Sequence, residues 1–142
     1  MILINVENLI IGRVATVCAK KALQNEEVVI VNAEKGVFTG RKQDLLKKYQ
    51  TRINLHTKAN PKKGPKGVRM PDQIVRGTII GMLPRNRKTG TDAIKRIKVF
   101  IGIPEQFEKA EVTDLSSFKV DETKTFMHVG ELSKLLGAKW LT

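Results

Sequence analysis

Seventeen lysines and arginines stand between Arg41 and Lys98, against three acids, Asp44, Asp72 and Asp92. Side chains of one sign at that density do one kind of chemistry well: they displace the counterions condensed on phosphates and hold a polyanion by its backbone. This block carries a net +14. Residues 1–40 balance four bases with four acids and residues 99–142 hold five bases and seven acids, so the whole excess of the +12 chain lies in its middle. A face charged only for solvation intersperses both signs, and this one does not. The candidate phosphate-binding residues within it are Arg41, Lys42, Lys47, Arg52, Lys58, Lys62, Lys63, Lys66, Arg69, Arg76, Arg85, Arg87, Lys88, Lys95 and Arg96.

Residues able to catalyse are few and unconnected. His56 falls in the basic segment and His128 just before the last predicted helix, and both read as ordinary hydrogen-bonding histidines. Neither a metal pair nor a Ser-His-Asp system is supported. The lone Cys18 excludes an internal disulfide and a cysteine zinc cluster, and its place on an apolar helix stripe makes it a small core residue. Gly12 lacks the companion glycines of a dinucleotide fingerprint, and no phosphate-loop pattern occurs. No catalysis, cofactor, metal or small-molecule substrate is expected.

The apolar runs Val28 to Val31 and Leu9 to Ile11 fall far short of the roughly 20 residues of a membrane span. Asn5 and Glu7 interrupt the apolar N-terminus, so no secretory leader is read there. A cytoplasmic protein with no membrane partner is the expectation. Nucleic acid is the commonest polyanion, and the aromatic residues decide which mode of binding to expect. Tyr49 is the only aromatic between Arg41 and Lys98, and helical spacing turns it toward the core. Base stacking is therefore not the main device; contacts to phosphates and to the shape of folded RNA are.

The elements that must position these bases follow from periodicity. Ile2 to Val6 reads as a strand, and Val14, Ala15, Val17, Cys18, Ala22 and Leu23 mark a helix that Asn25 stops. The unalternating Val28-Val29-Ile30-Val31 predicts a strand buried on both faces, completing a βαβ unit. After Val37-Phe38, a second helix is expected over 40–50 with Leu45, Leu46 and Tyr49 inward. Thr51 to Met70 has six bases, two prolines, two glycines and no acid, and reads as a long loop that RNA could order. Pro71 and Asp72 open a third helix with Ile74, Val75, Thr78, Ile79, Met82 and Leu83 as its stripe, ended by Pro84. A basic turn, a short helix capped by Thr91, a strand over 97–101, a strand over 125–127 and a helix from Gly130 to Gly137 complete the chain, with 111–124 peripheral. This alternation predicts a mostly parallel sheet with helices on both faces.

The run Gly81-Met82-Leu83-Pro84, then Gly90, then Arg96-Ile97-Lys98-Val99-Phe100 resembles the signature of the ribosomal protein L13 family of the large subunit. Ile11-Gly12-Arg13-Val14-Ala15, Val29 to Lys35 and Thr39-Gly40 fall in that family's order, so the resemblance covers nearly the whole chain. Gly102-Ile103-Pro104 with Phe107 is similar to the archaeal and eukaryotic branch, and the short length to the archaeal one. The resemblance implies a single α/β domain over 1–142, a three-layer α/β/α domain around a four-stranded, mainly parallel sheet, with a long basic loop. It also implies early assembly onto 23S-type ribosomal RNA beside neighbouring large-subunit proteins. Its RNA contacts map onto Lys35, Arg41, Lys62, Lys63, Lys66, Arg76 and Arg85 to Lys88. Archaeal relatives carry aromatics where this chain has Arg85 and Lys66-Gly67, which leaves an electrostatic contact at both points. His128 stands where the family has a Thr cap three residues before Glu131. A free regulator of translation that binds messenger RNA or another nucleic acid outside the ribosome is the rival reading of the same charge.

Overall fold

A computed structural model describes residues 1–108, 110–121 and 123–140. Its elements are β1 (Ile2–Asn5), α1 (Ile11–Leu23), β2 (Val28–Val31), β3 (Val37–Thr39), α2 (Lys42–Asn54), α3 (Pro71–Ile80), α4 (Lys88–Lys95), β4 (Ile97–Val99), β5 (Phe126–His128) and α5 (Val129–Leu135). Short 3-10 turns occur at Ala33–Lys35, Pro61–Lys63, Glu105–Phe107 and Ser116–Phe118.

The first sheet is parallel, in the order β1-β2-β4, with Ile2 opposite Val28 and Val28 opposite Ile97. All four residues of β2 are buried, as an unalternating run of β-branched side chains requires. On one face Ile4, Val28, Ile30 and Ile97 pack with Val14 and Cys18 of α1, Ile74 and Ile79 of α3 and Leu132 of α5. On the other, Leu3, Val29 and Val31 lie beneath Phe100, Phe107 and Ala110. The expectation of helices on both faces is therefore corrected: the α-helices share one face, and an aromatic segment following β4 closes the other. Two phenylalanine rings 5.8 Å apart supply there the apolar area that a helix would have brought.

The expected four-stranded sheet is also reduced. Among the described residues three strands are formed, and the fourth place holds a single parallel bridge, Leu3 to Val112, beside which Thr113 N–H donates to the Leu3 carbonyl at 2.8 Å. The strand expected over 125–127 pairs elsewhere: β5 runs antiparallel to β3, with Val37 opposite His128 and Thr39 opposite Phe126. The fold is thus mixed α/β, with one three-stranded parallel and one two-stranded antiparallel sheet.

The helix stripes are largely as the spacing predicts. Val14, Ala15, Cys18 and Ala22 are buried in α1, but Leu23 at its end is exposed. Asn25 takes the left-handed conformation that ends α1, and Gly137, at φ +86°, does the same beyond α5. Ile74, Val75, Ile79 and Leu83 are buried around α3, whereas Met82, expected inward, is 44% exposed because α3 has already ended at Ile80. Among the described residues no helix is long and apolar enough to cross a membrane.

Candidate nucleic-acid interface

The basic residues sit on surfaces that the core does not need. Leu45, Leu46, Tyr49 and Ile53, spaced three and four apart along α2, are partly buried against the core. That spacing leaves Lys42, Lys47, Lys48 and Arg52 exposed. Tyr49 lies 6.0 Å from the Phe38 ring, with the Arg52 guanidinium 5.5 Å from its own centroid. Burial pushes its phenol up, against smaller opposing pulls from Arg52 and Thr78. Its ring is thus engaged within the protein, as expected, and leaves α2 to act through charge. A cleft of about 360 Å³ between α2 and α3 is lined by Lys48, Arg52, Thr78 and Gly81.

The segment after α2 is less irregular than its composition suggests. α2 runs on to Asn54, so the start of the expected 51–70 loop is helical, and Pro61–Lys63 form one 3-10 turn. Lys58, Lys62, Lys63, Lys66 and Arg69 are exposed. The loop is held at its return. Gly67 packs so closely on α2 that a Cβ there would stand 2.6 Å from the Ile53 Cα, and Arg52 and Lys66 flank the adjoining cleft. Two residues on, the Arg69 carbonyl accepts a hydrogen bond from the buried Ser133 hydroxyl at 2.6 Å. Trp140 Nε1 donates to the same Ser133 oxygen at 3.1 Å, and the Lys134 ammonium lies 5.2 Å from the Trp140 ring centre.

A third group follows α3. Arg87 N–H closes a turn on the Pro84 carbonyl at 3.1 Å, and α4 starts at Lys88, earlier than the expected Thr91. Arg85, Arg87, Lys88 and Lys95 are exposed, and Arg96 is partly so. Arg76 is partly buried on α3, and its Nε has no hydrogen-bond partner among the described residues.

Of the sixteen candidates, Lys35, Lys42 and Lys95 meet a carboxylate: Glu7 at 3.0 Å, Glu131 at 2.9 Å and Asp92 at 3.3 Å. Such exposed pairs contribute little and exchange readily for phosphate contacts. Among the described residues, Arg41, Lys47, Arg52, Lys58, Lys62, Lys63, Lys66, Arg69, Arg76, Arg85, Arg87, Lys88 and Arg96 have no carboxylate within 4.0 Å. Clefts bring Arg52 together with Lys66, and Arg76 with Lys95. Arg41 and Lys42 flank Phe126, whereas Lys35, on the turn after β2, lines none of these clefts.

The residues weighed for other chemistry are occupied structurally. His56 Nδ1 lies 2.7 Å from the Asn54 carbonyl, and His128 Nδ1 lies 3.1 Å from that of Lys35. His128 gives α5 no side-chain cap. Cys18 is fully buried, and desolvation pushes its thiol up to about 12. Lys48 and Lys98, visible in the sequence but not singled out, line the same clefts as the candidates. Ser133 and Trp140 gave no signal in the sequence, because their partner Arg69 lies 64 residues before Ser133.

A mixed α/β domain that keeps its strongly basic segment off its core is the class of protein that this fold and surface define. The family model for Ribosomal protein L13 matches residues 1–106, and the chain belongs to that family. It is 43% identical to the large ribosomal subunit protein uL13 of Methanococcus maripaludis, over 99% of this chain and 100% of that one. It is 44% identical to the uL13 of Methanocaldococcus jannaschii, with the same coverage of both chains, and 39% identical to that of Sulfurisphaera tokodaii, over 96% and 94%. The family is not one of enzymes, and these relatives are archaeal, as the resemblance implied.

Proposed function

We propose that this chain is a structural constituent of the large ribosomal subunit, a single domain over 1–142 that binds and stabilises folded 23S-type ribosomal RNA early in assembly. The observation that carries the reading is near-complete correspondence with proteins named for that subunit, 99% of this chain aligning with 100% of a relative. The surface chemistry supports it independently. Cations that have no carboxylate within 4.0 Å among the described residues, on α2, the 55–70 loop and the Arg85 to Lys88 turn, present charge to phosphates, while the one aromatic among them is packed against the core. Lys35, Arg41 and the other candidate bases hold the RNA backbone, and neighbouring large-subunit proteins pack around the domain in the cytoplasmic ribosome.

Sedimentation of the tagged full chain from its own cells tests the reading. The protein should travel with large subunits and stay with them when the two subunits are separated at low magnesium. Recovery in messenger-RNA fractions free of large subunits would replace this function with the regulatory one.

A further inference from the structure

The two edges of the parallel sheet differ. β1 is closed by the Val112 bridge and the Thr113 N–H. β4 is open. In a parallel ladder alternate residues turn both backbone groups to the neighbouring strand, and those between turn theirs away. Val28 N–H donates to the Arg96 carbonyl at 3.0 Å and Phe100 N–H to the Ile30 carbonyl at 2.8 Å, so Lys98 faces β2. The N–H and C=O groups of Ile97 and Val99 therefore point outward, and none has a hydrogen-bond partner among the described residues. They open onto a groove of about 280 Å³ whose polar lining is Gln73, Arg76, Lys95 and Lys98, with no acid. The buried Nε of Arg76 lacks a partner there too.

We propose that the β4 edge is a docking site for an extended acidic segment of a partner protein, which adds to the sheet as its next strand. The segment's backbone pairs with Ile97 and Val99, and carboxylates on its alternate residues, which share one face, meet Arg76 on the α3 side. Two donors and two acceptors alternating at strand spacing match a peptide backbone. An RNA backbone offers acceptors along its phosphates and one ribose donor, the 2′-OH, per nucleotide, and does not repeat the donor-acceptor alternation of a strand edge. A second copy of this chain would set Lys98 against Lys98 and +12 against +12. Because β4 has only three residues, one of them lysine, charge complementarity has to supply the selectivity. The inference does not depend on the ribosomal reading, and it moves Arg76 from the phosphate-binding set to a carboxylate.

Titration of the ¹⁵N-labelled full chain with a short alternating Glu-Val peptide tests it. The Ile97 and Val99 amides should shift and exchange more slowly with solvent. A Lys-Val peptide, or the Glu-Val peptide N-methylated on its pairing residues, should bind at least about tenfold more weakly, the loss of one or two charge-assisted or backbone hydrogen bonds. Val99→Pro deletes one outward N–H while sparing the ladder to β2, and should weaken binding by a similar factor with the rest of the amide spectrum unchanged. Arg76→Gln should lower affinity and flatten its salt dependence. Amides at Ile97 and Val99 that ignore the Glu-Val peptide, equal binding of the N-methylated peptide, or a response to a single-stranded RNA oligomer alone would overturn the proposal.

Discussion

The Ser133 hydroxyl donates to the Arg69 carbonyl at 2.6 Å, tying the last helix to the return of the basic loop across 64 residues of sequence. Ser133 is fully buried and also accepts from Trp140 Nε1, so one oxygen satisfies two otherwise unpaired groups. Ser133→Ala should cost about 1–3 kcal/mol, the penalty for leaving buried polar groups unmade. Trp140→Phe keeps the Ser133–Arg69 bond and should cost less. Denaturant midpoints of the two variants check the order.

Much of this fold was legible because burial leaves period and type in the sequence. The unalternating Val28 to Val31 announced a doubly covered strand, and the spacing of Ile74, Val75 and Ile79 announced a core helix. The charge block was equally plain. What could not be read were pairings between distant segments. Nothing local to Phe126 says that it joins Thr39 rather than β4, and nothing in Phe100 or Phe107 says that aromatic rings replace a helix on the second face. Met82 was misplaced because a stripe continued past Ile80 looks helical until the backbone turns. Of the candidate site, residue types and segment were legible, but the anchoring of the loop by Ser133 was not.

That correction separates two substitutions in neighbouring turns. Ile79 is 1% exposed, so Ile79→Ala should cost about 2–5 kcal/mol through lost burial and the cavity left behind. Met82 is 44% exposed and touches the Thr16 hydroxyl through its sulfur at 3.7 Å, so Met82→Ala should cost under about 1 kcal/mol. Equal losses in thermal melts of the two would contradict the end of α3 at Ile80.

Cys18 makes stability depend on alkaline pH. Burial raises its thiol from 9.0 to about 12, so the unfolded chain releases this proton first as pH rises. The contribution is complete below 9.0 and is lost between there and about 12, with a slope approaching about 1.4 kcal/mol per pH unit. Urea midpoints across that window should fall more steeply for the wild type than for Cys18→Ala. Parallel curves would show that the thiol carries none of the dependence.

Charge and folding should separate in the loop. Replacing Lys62, Lys63, Lys66 and Arg69 by Gln removes four exposed cations that have no carboxylate within 4.0 Å among the described residues. Self-repulsion falls, so the melting temperature should hold or rise. If about six to ten bases of the wild type meet phosphates, its affinity for ribosomal RNA should drop on the order of 10³ to 10⁵ between about 50 and 200 mM salt. The quadruple variant should show a slope smaller by about three, with weaker incorporation into large subunits. An unchanged slope would remove the loop from the RNA surface.

Gly67 tests whether the loop's placement, and not its charge alone, matters. The Cβ of an alanine there would stand 2.6 Å from both the Cα and the Cγ1 of Ile53. The Cγ1 could rotate aside, but the Cα belongs to α2 and cannot, so the loop itself must lift. Residues 66–68 would then leave the cleft they share with Tyr49 and Arg52, carrying Lys66 away from Arg52. Every cation survives the change, and Gly67 is exposed, so the fold should lose no more than about 1 kcal/mol. Gly67→Ala should therefore keep the wild-type salt slope, which counts phosphate contacts, yet bind more weakly at every salt concentration, because a displaced loop must be ordered again on the RNA. Gly64→Ala is the internal comparison: its Cβ would lie 3.0 Å from the Thr57 N–H nitrogen, within the loop and away from α2, so a smaller loss is expected. Parallel lines of log affinity against log salt, with the Gly67 line lowest, are the predicted result; coincident lines for all three proteins would mean that the seat of the loop on α2 has no part in binding.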